Sequence, residues 1–114
     1  MALNRDKILK AVDKYLRQGK VEGAIEQLLK LVRESPRDMN TINRVGDLYA
    51  RLGRTDEAIA QYRKIADFYN KEGFLLKAIA IYKKVSKLDP SNPEPYQSLA
   101  RLYSQQGLTM EARA

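Results

Sequence analysis

One phrase recurs along this chain and constrains its fold more than any other feature. It consists of a tyrosine, a glycine four residues later and an alanine five residues after the glycine. Its four copies begin at Tyr15, Tyr49, Tyr69 and Tyr103, so the first two copies lie 34 residues apart. A phrase that returns in this way is the signature of a repeat protein, in which each unit buries its apolar face only by stacking on its neighbours.

Glycine and proline divide the chain into short segments, each with the apolar spacing of an amphipathic helix. The dividing residues are Gly19, Pro36, Gly53, Gly73, Pro90 and Gly107. No segment shows the alternation of a half-buried strand, so the pattern predicts an all-α fold. We predict helices over residues 4–18, 21–34, 39–52, 56–71, 74–88 and 93–106, and a seventh that begins near residue 109. Four of them follow a residue suited to cap a helix N-terminus. These are Asp38, Thr55, Asn92 and Thr109.

The composition excludes most catalytic chemistry. The chain contains no cysteine, histidine or tryptophan among its 114 residues. It therefore has no thiol nucleophile, no disulfide, no imidazole for acid–base catalysis and no Cys/His metal site. The glycines are isolated, so no phosphate-binding loop is present. We expect no enzymatic activity, no catalytic residue, no cofactor and no bound metal.

The charge balance is moderately basic. Lysine and arginine outnumber aspartate and glutamate by 21 to 14, which gives a net charge of +7 and suits an acidic partner. Charged residues interrupt every stretch long enough to cross a bilayer, and the first residues lack the apolar segment of a signal peptide. We expect no membrane span and a cytoplasmic location.

The repeated phrase resembles the tetratricopeptide repeat, a 34-residue helix–turn–helix unit. The first repeat, 5–38, matches that pattern at Ile8, Ala11, Val12, Tyr15, Ala24, Leu28 and Pro36. The second, 39–72, matches it at Ile42, Val45, Gly46, Tyr49, Ala58, Tyr62 and Ile65. A partial last repeat, 93–114, matches it at Tyr96, Leu99, Ala100, Tyr103 and Ala112. The resemblance implies a single domain over residues 1–114, a solenoid of about seven antiparallel helices in a right-handed superhelix.

Two departures from a regular array give further expectations. The helix at 56–71 fits as the second helix of the repeat 39–72 and also as the first helix of an overlapping pair, 59–92. We therefore predict an irregular three-helix unit at 39–88. The sequence also ends a few residues into the seventh helix, which indicates an N-terminal fragment of a longer chain or a chain that borrows its packing from another copy.

The resemblance implies a scaffold or adaptor that binds a peptide or helical segment of another protein. The first helix of each repeat, the A helix, would line its groove. The candidate groove residues are Lys10, Asp13, Arg17, Asn40, Asn43, Arg44, Asp47, Arg51, Arg63, Lys64, Asp67 and Arg101. The same positions include Asp6, Leu9, Leu16, Ala50, Asn70, Lys71, Glu94, Gln97, Ser98 and Gln105. These residues could instead form solvated faces with i,i+4 pairs such as Asp13–Arg17.

Other functions remain open from the sequence. Some members of the family bind the carboxylate tail of a chaperone, but Leu9, Asp13 and Arg44 stand where that activity needs other residues, so we do not expect it. One alternative is homo-oligomerisation through the open ends of the solenoid. A weaker alternative is RNA or anionic-surface binding through Lys7, Lys10, Lys14 and Arg17, or through Lys77, Lys83, Lys84 and Lys87. Acidic residues lie among these lysines, so we do not expect a nucleic acid partner.

Overall fold

A computed structural model describes the backbone of residues 4–113 and the side chains of residues 4–107. Over this part of the chain it contains six α-helices and no strand, which confirms the all-α prediction. The helices are α1 (Arg5–Arg17), α2 (Val21–Glu34), α3 (Met39–Arg51), α4 (Thr55–Lys71), α5 (Leu75–Leu88) and α6 (Pro93–Arg113).

Three helices, α1, α3 and α4, end in the same glycine turn. Gly19, Gly53 and Gly73 have φ angles of 72°, 75° and 79°, a left-handed conformation that only glycine adopts without cost. The residue after each glycine donates its N–H to the carbonyl of the repeated tyrosine. The N···O distances are 2.8 Å for Lys20 to Tyr15, 2.9 Å for Arg54 to Tyr49 and 2.8 Å for Phe74 to Tyr69. This is the Schellman motif, and it explains why tyrosine and glycine recur at a constant spacing.

The other two connections are built around proline. α2 and α5 are followed by Ser35 and Asp89, whose φ angles are −129° and −137°, and a proline comes after each of these two residues. The next helix is then capped by a side chain. Asp38 Oδ1 accepts the Thr41 N–H at 3.2 Å, and Asn92 Oδ1 accepts the Glu94 N–H at 3.0 Å. These contacts confirm two of the four predicted caps.

The cap predicted at Thr55 is wrong. α4 begins at Thr55 itself, so Arg54 occupies the position before the helix. Arg54 also forms a bidentate ion pair with Glu57, with Nε–Oε1 and Nη2–Oε2 distances of 2.6 and 2.7 Å. The acidic first turn of α4 is thus satisfied by an arginine side chain as well as by the positive end of the helix.

The predicted seventh helix is also wrong for the described residues. α6 continues from Pro93 to Arg113, so Gly107 and Thr109 lie inside it. Gly107 does not adopt the left-handed conformation of the three turn glycines, and without that conformation a Schellman turn does not form. The residues after it include leucine, methionine, glutamate, alanine and arginine, which favour continuation of a helix. The side chain of Ala112, in the fourth copy of the phrase, lies outside the described residues.

The chain divides within α4, between Gln61 and Tyr62, into a first and a second compact unit. In the first unit Val12, Ala24, Leu28 and Val45 are almost fully buried. In the second unit the buried cluster is Ala78, Ile79 and Leu102, against which Tyr69, Leu75, Tyr82 and Leu99 pack. Ala24 and Ala78 of the repeated phrase are completely inaccessible to solvent, so their small size allows neighbouring helices to approach closely.

Candidate functional site

In the first unit the candidate groove residues lie on α1 and α3. The exposed ones are Lys10, Asp13 and Arg17 on α1 and Asn40, Asp47 and Arg51 on α3, whereas Asn43 and Arg44 are half-buried. The structure brings Asp13 and Arg44 together, because Arg44 Nη2 lies 3.8 Å from Asp13 Oδ1. The salt bridge of Asp13 is therefore made to α3, and not to Arg17 on its own helix as the i,i+4 spacing predicts.

A second contact joins α1 to the start of α3. Arg5 Nη2 lies 3.2 Å from Asp38 Oδ2, and Thr41 Oγ1 donates to the same oxygen at 2.6 Å. Burial raises the pKa of Asp38, but the hydrogen bonds from Thr41 and the Arg5 guanidinium outweigh that effect, so its pKa lies below the ordinary value. Together with Asp13–Arg44, this contact holds the groove-lining faces of α1 and α3 side by side. Each exposed pair stabilises the fold by about 1 kcal/mol at most.

In the second unit α4 and α6 form the walls of a polar cleft of about 270 Å³. The residues that line it are Asp67, Asn70, Tyr82, Glu94, Ser98, Arg101, Leu102 and Gln105. Two of the candidate site residues, Asp67 and Arg101, lie in this cleft on opposite walls. Arg63 lies at one end of it and forms an ion pair with Glu94 across the two helices. Lys64 is exposed on α4 and does not line the cleft.

The cleft contains two exposed charged side chains and, beside them, apolar groups. Asp67 and Arg101 are both exposed, and neither has a hydrogen bond or ion pair to any residue with a described side chain. Ser98 is 8% exposed and Leu102 3%, and Tyr82 of α5 is half-buried. Sequence reasoning did not assign Tyr82 and Leu102 to the groove. Both have apolar side chains at core-like helical spacing, which predicts packing and not a lining role.

Two further kinds of site are absent from the described residues. No group of acidic side chains among them could hold a metal ion. Within the same part of the chain, no helix is both long and apolar enough to cross a membrane.

Comparison with known sequences matches the repeated turns and paired helices to one family. A sequence model of the tetratricopeptide repeat matches residues 9–73, and two further models of this repeat match residues 64–92 and 81–114. The chain belongs to the tetratricopeptide repeat family.

Individual proteins are also similar to this chain. The TPR repeat-containing protein MJ1428 of Methanocaldococcus jannaschii is 29% identical over 80 residues, which cover 70% of this chain and 14% of the relative. A crystal structure of MamA protein has a TM-score of 0.50 at 19% identity, covering 90% of this chain and 63% of that one. The first TPR of Spaghetti (RPAP3), bound to the HSP90 peptide SRMEEVD, has a TM-score of 0.45 at 20% identity, covering 92% of this chain and 99% of that one. The MamA likeness supports the fold assignment alone.

Proposed function

We propose that this tetratricopeptide chain is a non-enzymatic interaction module that binds a peptide or helical segment of a partner protein along its A helices. The observation that carries the proposal is the polar cleft between α4 and α6, in which Asp67 and Arg101 have no partner among the residues whose side chains are described. Repeat solenoids use extended surfaces of this kind for binding. A polar cleft with few apolar groups suits a peptide better than a small organic ligand, whose pockets are mostly apolar.

The first unit supports the same proposal in a second place. The Asp13–Arg44 pair spans α1 and α3 and leaves Lys10, Arg17 and Arg51 exposed on those helices. This surface carries more positive than negative charge, so we propose that the partner segment is acidic where it meets α1 and α3. The cysteine-free composition fits a reducing compartment, and we propose that binding takes place in the cytoplasm.

A capture experiment with matched charge reversals tests the proposal. The immobilised chain is incubated with a lysate of its source cells, and proteins that bind are compared between wild type, Arg44→Glu and Lys30→Glu. Lys30 is exposed on α2, outside the proposed groove. Both substitutions replace a positive charge with a negative one, so they change the net charge equally. We expect Arg44→Glu to lose a partner that Lys30→Glu retains, with unchanged circular dichroism for both. Equal retention by the two variants would show that the surface of α1 and α3 around Arg44 is not the binding surface.

Self-association is a second candidate function, favoured by apolar side chains that the second unit leaves exposed. Phe74, Leu76, Tyr96 and Tyr103 are 49%, 67%, 49% and 46% exposed. Leu76 is the most exposed of the four. Two of the aromatic rings have a lysine nearby: Lys77 Nζ lies 5.3 Å from the centre of the Phe74 ring, and Lys83 Nζ lies 5.8 Å from the centre of the Tyr103 ring. Sedimentation velocity over a concentration series tests this function. A dimer that Leu76→Gln weakens would support it, and a monomer at every concentration would refute it.

A further inference from the structure

The charges of the α4–α6 cleft are arranged in a definite order along the two helices. The connections at 72–74 and 89–92 are short, so α4 and α5 run antiparallel, as do α5 and α6, and α4 and α6 therefore run in the same direction. The Arg63–Glu94 ion pair marks one level of the cleft. Asp67 lies four residues beyond Arg63 on one wall, and Arg101 lies seven residues beyond Glu94 on the other.

This offset gives the spacing of the two unpartnered charges along the groove. Because a helix rises about 1.5 Å per residue, the difference of three residues places Arg101 about 4.5 Å further along the axis than Asp67. The two side chains belong to opposite walls. Glu94 is already neutralised by Arg63. Among the side chains that the structure describes, the cleft therefore presents one unpaired negative charge and, further along and on the other side, one unpaired positive charge.

The spacing of the two charges decides which conformation of a ligand fits them. In a helix, side chains about 4.5 Å apart along the axis are three residues apart and lie on the same face, so they would not point to opposite walls. An extended chain advances about 3.3 Å per residue and points successive side chains to opposite sides. Two neighbouring residues of an extended peptide therefore reach opposite walls at nearly the offset that Asp67 and Arg101 show.

We infer that the cleft selects an extended peptide segment with a basic and an acidic residue next to each other. The basic side chain binds Asp67 and the acidic side chain binds Arg101. Ser98 and Asn70 lie beside these charges and offer hydrogen bonds to the peptide backbone, while Leu102 and Tyr82 provide an apolar surface. This inference rests on the proposed peptide-binding function and names the chemistry that the second unit recognises.

The test begins with a phage-displayed random peptide library panned on the whole chain. We expect the enriched peptides to share a neighbouring pair of opposite charges. The best peptide is then synthesised with a fluorophore and titrated, by fluorescence anisotropy, against wild type, Asp67→Asn and Arg101→Gln. Each variant is expected to bind about two- to ten-fold more weakly, because each removes one charge pair. Asp56→Asn and Lys87→Gln are the matched controls, since Asp56 on α4 and Lys87 on α5 are exposed outside the cleft and these variants should bind as wild type does.

A second titration identifies which charge meets which wall. A peptide whose acidic residue is replaced by glutamine should bind wild type and Arg101→Gln equally, but should still lose affinity with Asp67→Asn. If peptides are enriched but bind Asp67→Asn and Arg101→Gln as tightly as wild type, the charge assignment is overturned and peptide binding by the chain stands. If no peptide is enriched, the proposed function fails, and the inference fails with it.

Discussion

The glycine of the repeated phrase takes two different conformations, and alanine substitution should distinguish them. Gly53 ends α3 with a φ of 75°, whereas Gly107 lies within α6 in a helical conformation. At both positions an added Cβ meets no atom within 4 Å. The substitutions Gly53→Ala and Gly107→Ala therefore differ in backbone energy and not in packing.

The expected magnitudes follow from these conformations. A left-handed alanine costs about 1–2 kcal/mol, while replacing glycine by alanine lowers the entropy of the unfolded chain and stabilises the fold by about 0.4–1 kcal/mol. Gly53→Ala should therefore lose about 1 kcal/mol of unfolding free energy. Gly107→Ala incurs no left-handed cost and should gain up to about 1 kcal/mol, as expected for alanine within a helix.

Urea unfolding followed by circular dichroism measures both variants against wild type. The unfolded-state contribution is common to both substitutions, so their difference in unfolding free energy should be about 1–2 kcal/mol. Gly19→Ala serves as a second left-handed position and should behave like Gly53→Ala. If Gly107→Ala destabilises the chain as much as Gly53→Ala, then Gly107 forms a turn, and the continuous α6 described above is incorrect.

Three further predictions follow from individual contacts. Folding lowers the pKa of Asp38, so its carboxylate stabilises the fold fully at pH values above the pKa of the unfolded chain, about 3.9. This stabilisation is lost as the pH falls through the lower pKa of the folded chain. Asp38→Asn should thus be less stable than wild type at pH 7, and a gap in thermal stability that does not narrow in acid would contradict this. Ala24→Leu should cost about 1–3 kcal/mol by overpacking a fully buried site, whereas Ala80→Leu at an exposed site should cost little, as urea unfolding would show. Replacing Lys7, Lys10 and Lys14 by glutamine should weaken retention on heparin no more than replacing Lys20, Lys30 and Arg33. A selective loss in the first variant would support a nucleic acid or anionic-surface site.

Much of the fold could be predicted because its helix ends are determined locally. The predicted range of residues 21–34 agrees with α2, and the caps at Asp38 and Asn92 act through residues two or three positions away. The failure at Gly107 has a physical reason. The same glycine can end a helix or continue it, and the phrase alone does not determine which conformation the backbone adopts. That α4 serves two helix pairs stays a prediction, although α4 ends with the same turn as α1 and α3.

The candidate site was harder to predict, because it depends on which helices are neighbours. Helical spacing identified Asp13, Arg44, Asp67 and Arg101 as outward-facing, but the Asp13–Arg44 pairing requires α1 and α3 to be adjacent. The i,i+4 spacing within α1 favours Arg17 as the partner of Asp13, but in the structure Asp13 pairs with Arg44 of α3 instead. Tyr82 was missed because a partly buried aromatic ring on a helix such as α5 has the same sequence pattern whether it lines a cleft or fills a core.

The three glycine turns have a consequence for how this sequence can change over time. Between tyrosine and glycine they carry Leu16-Arg17-Gln18, Ala50-Arg51-Leu52 and Asn70-Lys71-Glu72, which differ at their first and third positions. What the turns share is length, because a main-chain hydrogen bond joins the tyrosine carbonyl to the residue after the glycine. Substitutions at the exposed positions of these segments should therefore leave the turn intact, whereas the insertion or deletion of one residue would break this bond or displace the residues that end the helix.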